Sequence, residues 1–406
     1  MRIVYLHQYF VTPEMVGGSR SYEMARRLVA AGHDVHMVTS DQAAKSGDPA
    51  WRESVESGIQ VHWASVPYNN EMSFRQRMQA FIRFAWRAAQ KARELHGDLI
   101  FATSTPLTIA LPAVYASRRS KVPMVFEVRD LWPAVPIAIG AIRNPVAKLM
   151  ARWLERFAYR NAVRVVALAP GMREEIIATG YPPDNVSVIP NGCDLDVFED
   201  TGSGAEIRNR YDWLQDRPLL VFTGTFGLVN GMDYLVHLAA ALKKTDPDIR
   251  IVAVGGGREF SRTESLAAEA GVLNDNLYLL GMLPKNEAAA WTVAADMTIA
   301  LFTGPSIVWR DAVQNKFFDS LAAGKPVANN FPGWQSKLAA DAGAGLILSA
   351  TDLDEAARDV VSALRDSSWM AKAGATARSL AEGRFNRDLL AAELAGVLEA
   401  ALVQAR

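Results

Sequence analysis

The sequence predicts an α/β fold made of two doubly wound domains. Apolar runs of strand length alternate with helix-length segments along all 406 residues. The runs are continuous in Val, Ile and Leu, which is typical of parallel strands covered on both faces. The alternating series occurs twice, and a chain of this length is too long for one hydrophobic core. Two parallel sheets, each with helices on both sides, are therefore expected.

The predicted elements follow from these runs. Between the strands, helices are predicted over 19–31, 232–243 and 286–294, and an Ala/Leu-rich helix over 387–406 ends the chain. The strand runs of the first half are RIVYLH, DVHMVTS, LIFATS, PMVFEV and RVVALAP, and those of the second are PLLVFTG, IRIVAVGGG, LYLLGM, MTIALF and KPVANN. Residues 190–216 have turn residues and weak periodicity, so they read as a linker.

Composition narrows the class of protein. The single cysteine, Cys193, excludes a disulfide framework, and the six histidines lack metal-ligand spacing. No apolar run reaches the ~20 residues of a membrane span, so a cytoplasmic protein is expected. Residues 1–190 contain 23 basic and 16 acidic residues, whereas the remainder contains 20 and 28. The basic half is expected to meet an anionic surface or substrate.

Glycine-rich loops follow several of the predicted strands. Ligands of parallel sheets bind beyond the carboxyl ends of the strands, where backbone N–H groups can approach an anion. Three such loops in the second half indicate a nucleotide site, and a similar loop follows the first strand. The residues that these loops contribute are Gly17 and Gly18 in the first half, and Gly224, Gly227, Gly256, Arg258, Met282 and Leu283 in the second.

The segment DAVQNKFFDSLAAGKPV, residues 311–327, predicts a further part of that site. A helix should begin near residues 313–316 and end at Gly324, with Lys316 as a cation near its start. Asp319, one turn in, either accepts from the two hydroxyls of a ribose or is satisfied within the helix. Asp311 can face the same ligand only from the preceding loop, because eight residues of helix would turn it ~80° away.

These motifs resemble, in order and over nearly the whole chain, retaining glycosyltransferases of the two-Rossmann-domain GT-B architecture (glycosyltransferase family 4-like). The quoted matches are PEMVGGSRSYEMARRLVAAGHDV, VIPNGCDLDVF, TGTFGLVNGMD, VGGGREF, LGMLP, NKFFDSLAAGKPV and GRFNRDLLAAEL. The resemblance implies an acceptor-binding domain at 1–193, against which the helix 387–406 packs. It implies a donor-binding domain at 194–386, with the two sheets facing across a cleft.

The family pattern also implies roles for single residues. Its two carboxylates correspond to Asp311 and Asp319, and Asn315 and Lys316 lie between them in the donor segment. Asn230 stands where the family has a lysine, and the arginine usual earlier in that loop is missing. Diphosphate binding is therefore expected to depend on Arg258, Lys316 and backbone amides.

The stretch FEVRDLWP resembles a subgroup that transfers amino sugars such as N-acetyl-fucosamine onto lipid-linked glycans. Glu127, Arg129 and Asp130 are the predicted catalytic residues. Asp130 or Glu127 could accept the proton of the acceptor hydroxyl, although Glu127 is equally well explained as half of a strand-end ion pair. Arg129, always protonated, could hold a phosphate. The resemblance implies retention of configuration, by same-face attack assisted by the leaving diphosphate, and no metal or other cofactor is expected.

Two basic segments rich in large apolar residues are candidates for membrane contact. Residues 73–96 are expected to touch an anionic bilayer, whereas the helix 144–164 is expected to pack its aromatic residues into the core. No nucleic-acid-binding motif is found. The expected function is transfer of a sugar, N-acetylated, from a UDP-sugar to a lipid-linked or glycan acceptor in cell-surface polysaccharide or lipopolysaccharide synthesis at the inner face of the membrane. The alternatives are a UDP-sugar epimerase and a non-catalytic nucleotide- or glycan-binding subunit.

Overall fold

The chain forms two compact α/β units. The computed structural model describes residues 1–15, 17–45, 47–68, 72–199 and 202–405. Unit 1 consists of Met1–Pro190 and Arg387–Arg406, and unit 2 consists of Asn191–Asn386. The division therefore lies between residues 190 and 191, against the predicted 193 and 194. Of the predicted last helix, residue 406 lies outside the described part.

Unit 1 is built on an eight-stranded sheet with the order β3-β4-β2-β1-β5-β6-β7-β8. All neighbouring strands pair in parallel except β3 and β4, which form an antiparallel edge. The strands are β1 (Arg2–Leu6), β2 (Asp34–Asp41), β3 (Trp51–Glu56), β4 (Ile59–Ser65), β5 (Leu99–Thr103), β6 (Met124–Val128), β7 (Arg164–Ala167) and β8 (Val186–Val188). The β3–β4 pair and β8 were absent from the sequence prediction.

Helices cover the sheet of unit 1. They are α1 (Arg20–Ala30), α2 (Phe74–Glu94), α3 (Ala110–Ser120), α4 (Ala134–Ala138), α5 (Pro145–Asn161), α6 (Pro170–Ala178) and the last helix of the chain, α16 (Arg387–Gln404). Strands β1, β5 and β6 lie in the middle of the sheet, and all of their residues but Arg2 are buried. Helix α16 packs on α1, with Leu390, Leu394 and Leu398 in the unit 1 core.

Unit 2 is built on a six-stranded, all-parallel sheet with the order β11-β10-β9-β12-β13-β14. The strands are β9 (Leu219–Thr223), β10 (Arg250–Val254), β11 (Leu277–Gly281), β12 (Met297–Ala300), β13 (Val327–Asn329) and β14 (Gly345–Ile347). The chain reverses direction of progress across the sheet between β9 and β12, which makes this pair the topological switch point where ligands bind in such sheets.

The helices of unit 2 follow its strands. They are α7 (Ser203–Arg210), α8 (Met232–Thr245), α9 (Phe260–Glu269), α10 (Lys285–Ala294), α11 (Ser306–Trp309), α12 (Asn315–Ala322), α13 (Trp334–Ala342), α14 (Leu353–Arg365) and α15 (Ser367–Leu380). The predicted linker at 190–216 is in fact partly packed in unit 2. Cys193 is buried and its backbone N–H donates a hydrogen bond to the Phe385 carbonyl, and α7 packs on α10. Within the described ranges, no helix is long and apolar enough to cross a bilayer.

Candidate functional site

Three glycine loops at the carboxyl ends of β9, β10 and β11 are joined by backbone hydrogen bonds. The Gly224 N–H donates to the Val254 carbonyl at 2.9 Å, and the Gly255 N–H donates to the Gly281 carbonyl at 2.7 Å. The Phe226 N–H donates to the Gly256 carbonyl at 2.9 Å. The loops that the sequence predicted to converge therefore lie edge to edge in one unit.

These loops approach so closely that only glycine fits at several positions. A Cβ added to Gly255 would lie 1.8 Å from the Gly224 carbonyl oxygen, and one added to Gly257 would lie 2.6 Å from the Phe226 carbonyl oxygen, whereas one added to Gly256 would meet only the side chain of Met282. Gly255 also has a φ of +146°, which L-residues rarely adopt. Gly255 was missing from the predicted site, although its place in the Gly-Gly-Gly run was a signal for it.

Lys316 lies against the first of these loops. Its Nζ is 3.7 Å from the centroid of the Phe222 ring, and a Cβ added to Gly224 would lie 2.9 Å from it. The ammonium is buried, and the described residues supply no hydrogen-bond partner for it. Because burial disfavours the charged form, the pKa of Lys316 is lowered to about 7. A buried cation without a partner is costly in a protein interior unless a ligand completes it.

Helix α12 presents Lys316 and Asp319 three residues apart, so the two side chains are neighbours on the helix surface. The helix begins at Asn315, within the predicted range, and its apolar face is fully buried through Phe317, Phe318 and Leu321. Asp319 is half-buried. The start of α12 is therefore held by the core, with the lysine and the carboxylate on its other side.

Asn191, from the PNG motif, fixes the entry to this helix. Its side-chain Nδ2 donates to the Val313 carbonyl at 3.2 Å and to Oδ1 of Asn315 at 2.8 Å. Asn191 is buried, and sequence reasoning placed it only in a linker. The amide oxygen of Asn315 is thus used within the fold, so the predicted donor-binding role of Asn315 is limited to its remaining amide group.

The other predicted donor residues of unit 2 differ in their exposure to solvent. Asp311 lies in the loop before α12, as it had to, but it is buried and its carboxylate accepts from Nε of Arg310 at 2.7 Å. In this structure the Asp311 carboxylate is paired with Arg310, and its role as a donor ligand stays a prediction. Arg258 and Met282 are exposed beside the glycine loops, and Leu283 is half-buried.

A cavity of 420 Å³ opens beside these residues, at the carboxyl ends of β9, β12 and β13. Gly227 lines it and makes a turn in which the Asn230 N–H donates to the Gly227 carbonyl at 3.0 Å. Trp309 and Phe331 are among its other lining residues, whereas Lys316 is not. Gly227 therefore borders this cavity, and its predicted role in donor binding stays a prediction.

Glu127, at the end of β6, is part of a buried ion pair in unit 1. Its carboxylate accepts from Nε of Arg20 at 3.0 Å and from Oγ1 of Thr103 at 3.0 Å, and no part of the side chain is exposed. Arg20 in turn donates to the carbonyls of Pro190 at 2.6 Å and Ile189 at 2.9 Å. The prediction that Glu127 lines a ligand site is wrong, because this carboxylate is enclosed and fully engaged.

Arg129 joins the carboxyl ends of β1, β5 and β6. Its Nη1 donates to Nε2 of His7 at 3.3 Å, and its backbone N–H donates to Oγ of Ser104 at 2.9 Å. Gly18 lies beside it, since a Cβ added there would be 3.6 Å from Nη2 of Arg129. Gly17, with a φ of +150°, precedes this contact and is exposed. The glycine loop and Arg129 thus meet at one end of the unit 1 sheet.

His7 was not predicted, although it follows the first apolar strand directly. It is buried, and burial together with the Arg129 charge holds its pKa well below the usual value for histidine. Since arginine can only donate, Nε2 of His7 accepts and the proton of the neutral ring is on Nδ1. His7 therefore acts as a neutral support for the guanidinium of Arg129.

Asp130 is the exposed carboxylate of this region. It accepts from Oγ1 of Thr105 at 3.0 Å and is otherwise open to solvent in the described structure. Of the two predicted carboxylates, only Asp130 can reach a ligand. No group of three or more His, Cys, Asp or Glu side chains suited to a metal ion is found in the described parts of either unit.

The contrast between the two carboxylates gives a stability prediction. We expect Glu127→Gln to lower the free energy of unfolding of unit 1 by about 3 kcal/mol, because it removes the negative charge that pairs with the buried guanidinium of Arg20. Asp130→Asn, at an exposed position, is expected to change it by less than about 0.5 kcal/mol. Urea unfolding of both variants measures the difference. Equal stabilities would contradict the structural role of Glu127.

Comparison with known proteins identifies the family. Residues 17–192 match the glycosyl transferase 4-like domain, and residues 204–380 match glycosyl transferases group 1. The chain is 30% identical over 405 residues to a D-inositol 3-phosphate glycosyltransferase of Streptosporangium roseum, covering 95% of this chain and 89% of that protein. The chain is a glycosyltransferase of this family. Its donor is accordingly a nucleotide sugar.

Other relatives of this glycosyltransferase are more distant. A GDP-mannose-dependent alpha-(1-6)-phosphatidylinositol monomannoside mannosyltransferase of Mycobacterium tuberculosis is 24% identical, over 73% of this chain and 74% of that protein. A putative colanic acid biosynthesis glycosyl transferase, WcaI of Escherichia coli, is 24% identical over 66% and 69%. These names refer to D-inositol 3-phosphate, to mannosyl transfer and to colanic acid biosynthesis, and none of the three names an amino-sugar transferase.

Solved structures agree with the predicted fold. Anabaena HepE in complex with UDP has a TM-score of 0.75 at 16% identity, over 98% of this glycosyltransferase and 100% of that chain. Sucrose-phosphate synthase of Thermosynechococcus elongatus has a TM-score of 0.79 at 18% identity, over 100% of both chains. The prediction of a GT-B fold with two Rossmann-like domains is confirmed.

Proposed function

We propose that this glycosyltransferase transfers a sugar, N-acetylated, from a UDP-sugar to a hydroxyl of a lipid-linked or glycan acceptor, with retention of configuration. The observation that carries the proposal is the buried Lys316 ammonium, for which the described part of the chain supplies no hydrogen-bond partner. It lies at the topological switch of unit 2, against Gly224, where a diphosphate would meet both the cation and the backbone N–H groups of the glycine loops.

The Lys316 site supplies what a departing nucleoside diphosphate requires. As the bond from the anomeric carbon to the diphosphate oxygen breaks, negative charge develops on the leaving group, and a cation in a water-poor site stabilises that charge strongly. In the proposed same-face reaction the acceptor oxygen bonds to the anomeric carbon, and its proton passes to the leaving diphosphate or to Asp130. Arg258, exposed beside the loops, adds a second cation. No metal is required in this proposal.

Asp319 is proposed as the ribose ligand. It follows Lys316 by one helical turn, so a nucleotide with its diphosphate at Lys316 would place its ribose along the same helix face. The proposal of UDP over GDP is supported by HepE, solved in complex with UDP, although one relative is named for GDP-mannose.

Unit 1 is proposed to bind the acceptor. Arg129, held by His7 and Ser104, offers a fixed cation to an acceptor phosphate, and a relative named for D-inositol 3-phosphate supports a phosphorylated acceptor. Cell-surface polysaccharide synthesis is supported by the WcaI similarity. Residues 73–96 are proposed to contact the inner, cytoplasmic face of the membrane, because Ile82 and Trp86 are both 63% exposed on α2.

The proposal is tested by calorimetric titration with UDP and GDP. We expect UDP to bind, and Asp319→Ala to weaken binding by roughly 2 kcal/mol, the cost of losing a charged hydrogen bond. The matched control is Asp341→Ala, at an exposed carboxylate on α13 of the same unit, which should leave the affinity unchanged. Equal UDP affinity in Asp319→Ala would remove the ribose assignment, and binding of GDP alone would overturn the choice of UDP.

Incubation with UDP-N-acetylglucosamine then separates the reaction classes. The proposed transferase should release UDP at a higher rate when a membrane lipid extract is added, and Asp130→Asn should lower that rate by at least tenfold without changing UDP affinity. Conversion of the donor to its free epimer without acceptor would favour an epimerase. Nucleotide binding without turnover of any donor would favour a non-catalytic subunit.

A further inference from the structure

Three neighbouring helices of unit 1 expose large apolar side chains to solvent. Helix α2 packs on α3, and α3 packs on α5, so the three form one layer. Exposed large apolar residues occur on each of them, namely Ile82 and Trp86 on α2, Leu111 and Tyr115 on α3, and Val146, Leu149, Met150 and Trp153 on α5. An exposed apolar surface of this extent marks an interaction site in a soluble unit.

The apolar stripe is most complete on α5. Val146, Leu149, Met150 and Trp153 are spaced i, i+3, i+4 and i+7, which places them along one side of the helix. Their exposed fractions are 63%, 70%, 65% and 59%. The sequence predicted that this helix packs its aromatic residues into the core. That prediction is wrong for Trp153, because α5 faces the fold mainly near its end, where Ala158 and Tyr159 are buried.

Arginines flank the stripe. A groove of 550 Å³ is lined by Arg118 of α3 and by Arg152, Arg156 and Arg160 of α5, together with Leu149, Trp153 and Phe157. The rings of Trp153 and Phe157 stack with centroids 5.1 Å apart. The three arginines of α5 are exposed. The groove thus combines several guanidinium groups with an aromatic wall that reaches the apolar stripe.

The charge of the layer is almost entirely of one sign. Helices α2, α3 and α5 contain twelve Lys and Arg residues and two acidic residues, Glu94 and Glu155. Glu155 is half-buried and accepts from the Tyr159 hydroxyl at 3.4 Å. The outward surface is therefore cationic around an apolar centre, which complements the phosphate and acyl regions of an anionic bilayer.

We propose that α5 is a membrane-seating helix that lies in the surface of an anionic phospholipid bilayer. In this arrangement Val146, Leu149, Met150 and Trp153 enter the acyl boundary, and the arginines of the groove bind lipid phosphates. A bilayer accounts for both the arginines and the apolar stripe. A protein or nucleic-acid partner would account for the arginines, but neither requires a four-residue apolar stripe at the centre of the surface. The inference concerns a surface apart from the nucleotide site, so it stands or falls separately from the proposed transfer reaction.

Vesicle flotation tests the surface. The wild-type protein is expected to float with vesicles of phosphatidylcholine and phosphatidylglycerol at 7:3, and to lose most binding to pure phosphatidylcholine or at high salt. Leu149→Ser with Met150→Ser should lower the partition coefficient at least tenfold, as should Arg152→Glu with Arg156→Glu. The matched control is Val55→Ser with Val403→Ser, which removes two apolar residues of unit 1 that are 71% and 75% exposed elsewhere.

The depth of Trp153 gives a second readout. Acyl-chain-brominated phosphatidylcholine mixed with phosphatidylglycerol should quench part of the tryptophan fluorescence, and Trp153→Phe should abolish a larger share of that quenching than Trp213→Phe in unit 2. All variants are checked for unchanged UDP affinity and thermal unfolding. Wild-type binding that α5 variants do not reduce, failure to bind anionic vesicles, or stronger retention on heparin or RNA than on vesicles would each overturn the proposal.

Discussion

Replacing Lys316 with methionine is expected to abolish most nucleotide binding while making the ligand-free protein more stable. In the wild type the buried Nζ has no hydrogen-bond partner among the described residues, so its burial opposes folding. Methionine has a similar length and no charge to desolvate. The diphosphate, however, loses a charged hydrogen bond worth about 1.5–3 kcal/mol, which corresponds to roughly 10- to 150-fold in affinity.

The pH dependence of this effect has a defined sign. The pKa of Lys316 is lowered to about 7 in the folded protein from 10.5. Between these pH values the unfolded chain binds a proton that the folded chain does not, so the free energy of unfolding should rise with pH, by at most about 1.4 kcal/mol per unit. Below about pH 7 both states bind the proton and the contribution becomes constant.

Urea unfolding of wild type and Lys316→Met at pH 7, 8 and 9 measures this slope, because the difference between the two proteins cancels other titrating groups. Titration with UDP at pH 8 in buffers of different ionisation enthalpy should show proton uptake in the wild type and none in Lys316→Met. Lys337→Met, at an exposed lysine on α13, is the control and should match the wild type in both assays. Wild-type UDP affinity in Lys316→Met would contradict the diphosphate site.

Gly255→Ala is expected to disrupt the nucleotide site and to destabilise unit 2 by roughly 3 kcal/mol or more. The added Cβ would lie 1.8 Å from the Gly224 carbonyl oxygen, and that atom belongs to a backbone that cannot rotate away as a side chain could. Separation of the Gly224 loop from the Gly255 loop would also break the hydrogen bonds from the Gly224 N–H to the Val254 carbonyl and from the Phe226 N–H to the Gly256 carbonyl. UDP binding should therefore become undetectable.

The control for this change is Gly271→Ala in the same unit. Gly271 also has a positive φ, of +65°, but nothing lies within 4 Å of an added Cβ. Its substitution should cost only about 1 kcal/mol of backbone strain and leave UDP affinity intact. Thermal unfolding and UDP titration of Gly255→Ala and Gly271→Ala measure the two differences, in stability and in UDP affinity. Wild-type binding in Gly255→Ala would show that the loops are not packed as described.

The sequence predicted the elements that depend on local pattern. Helix α12 and strand β13 were predicted because a helical apolar stripe ends in Ala-Gly-Lys-Pro, and Gly324 does end the helix with a φ of +65°. The antiparallel pair β3–β4 was missed, because β3 is a largely exposed edge strand with Arg52, Glu53 and Glu56 in place of an apolar run. Edge strands often carry charged side chains, which prevent pairing with the strands of another molecule. A search for apolar runs therefore does not detect them.

The carboxylates of Glu127 and Asp130 show which property could not be predicted from the sequence, namely burial. Glu127 and Asp130 are three residues apart and looked equally suited to chemistry. Only the fold shows that Glu127 is enclosed with Arg20 whereas Asp130 is exposed. In the same way, the sequence predicted that Trp153 is a core residue of a basic helix. In the fold α5 packs on α3, and Trp153 is exposed to solvent.

By itself, then, the sequence determined the α/β class, the two-domain organisation and the segments that bear the site, because helix period, strand length and glycine turns are local properties of the chain. Tertiary structure alone decided that the Lys316 ammonium is buried with no hydrogen-bond partner among the described residues, that Glu127 is structural, and that the α5 stripe faces solvent. The physical reason is that burial and partnership of a charge depend on residues far apart in sequence, such as Lys316 with Phe222 and Arg20 with Glu127.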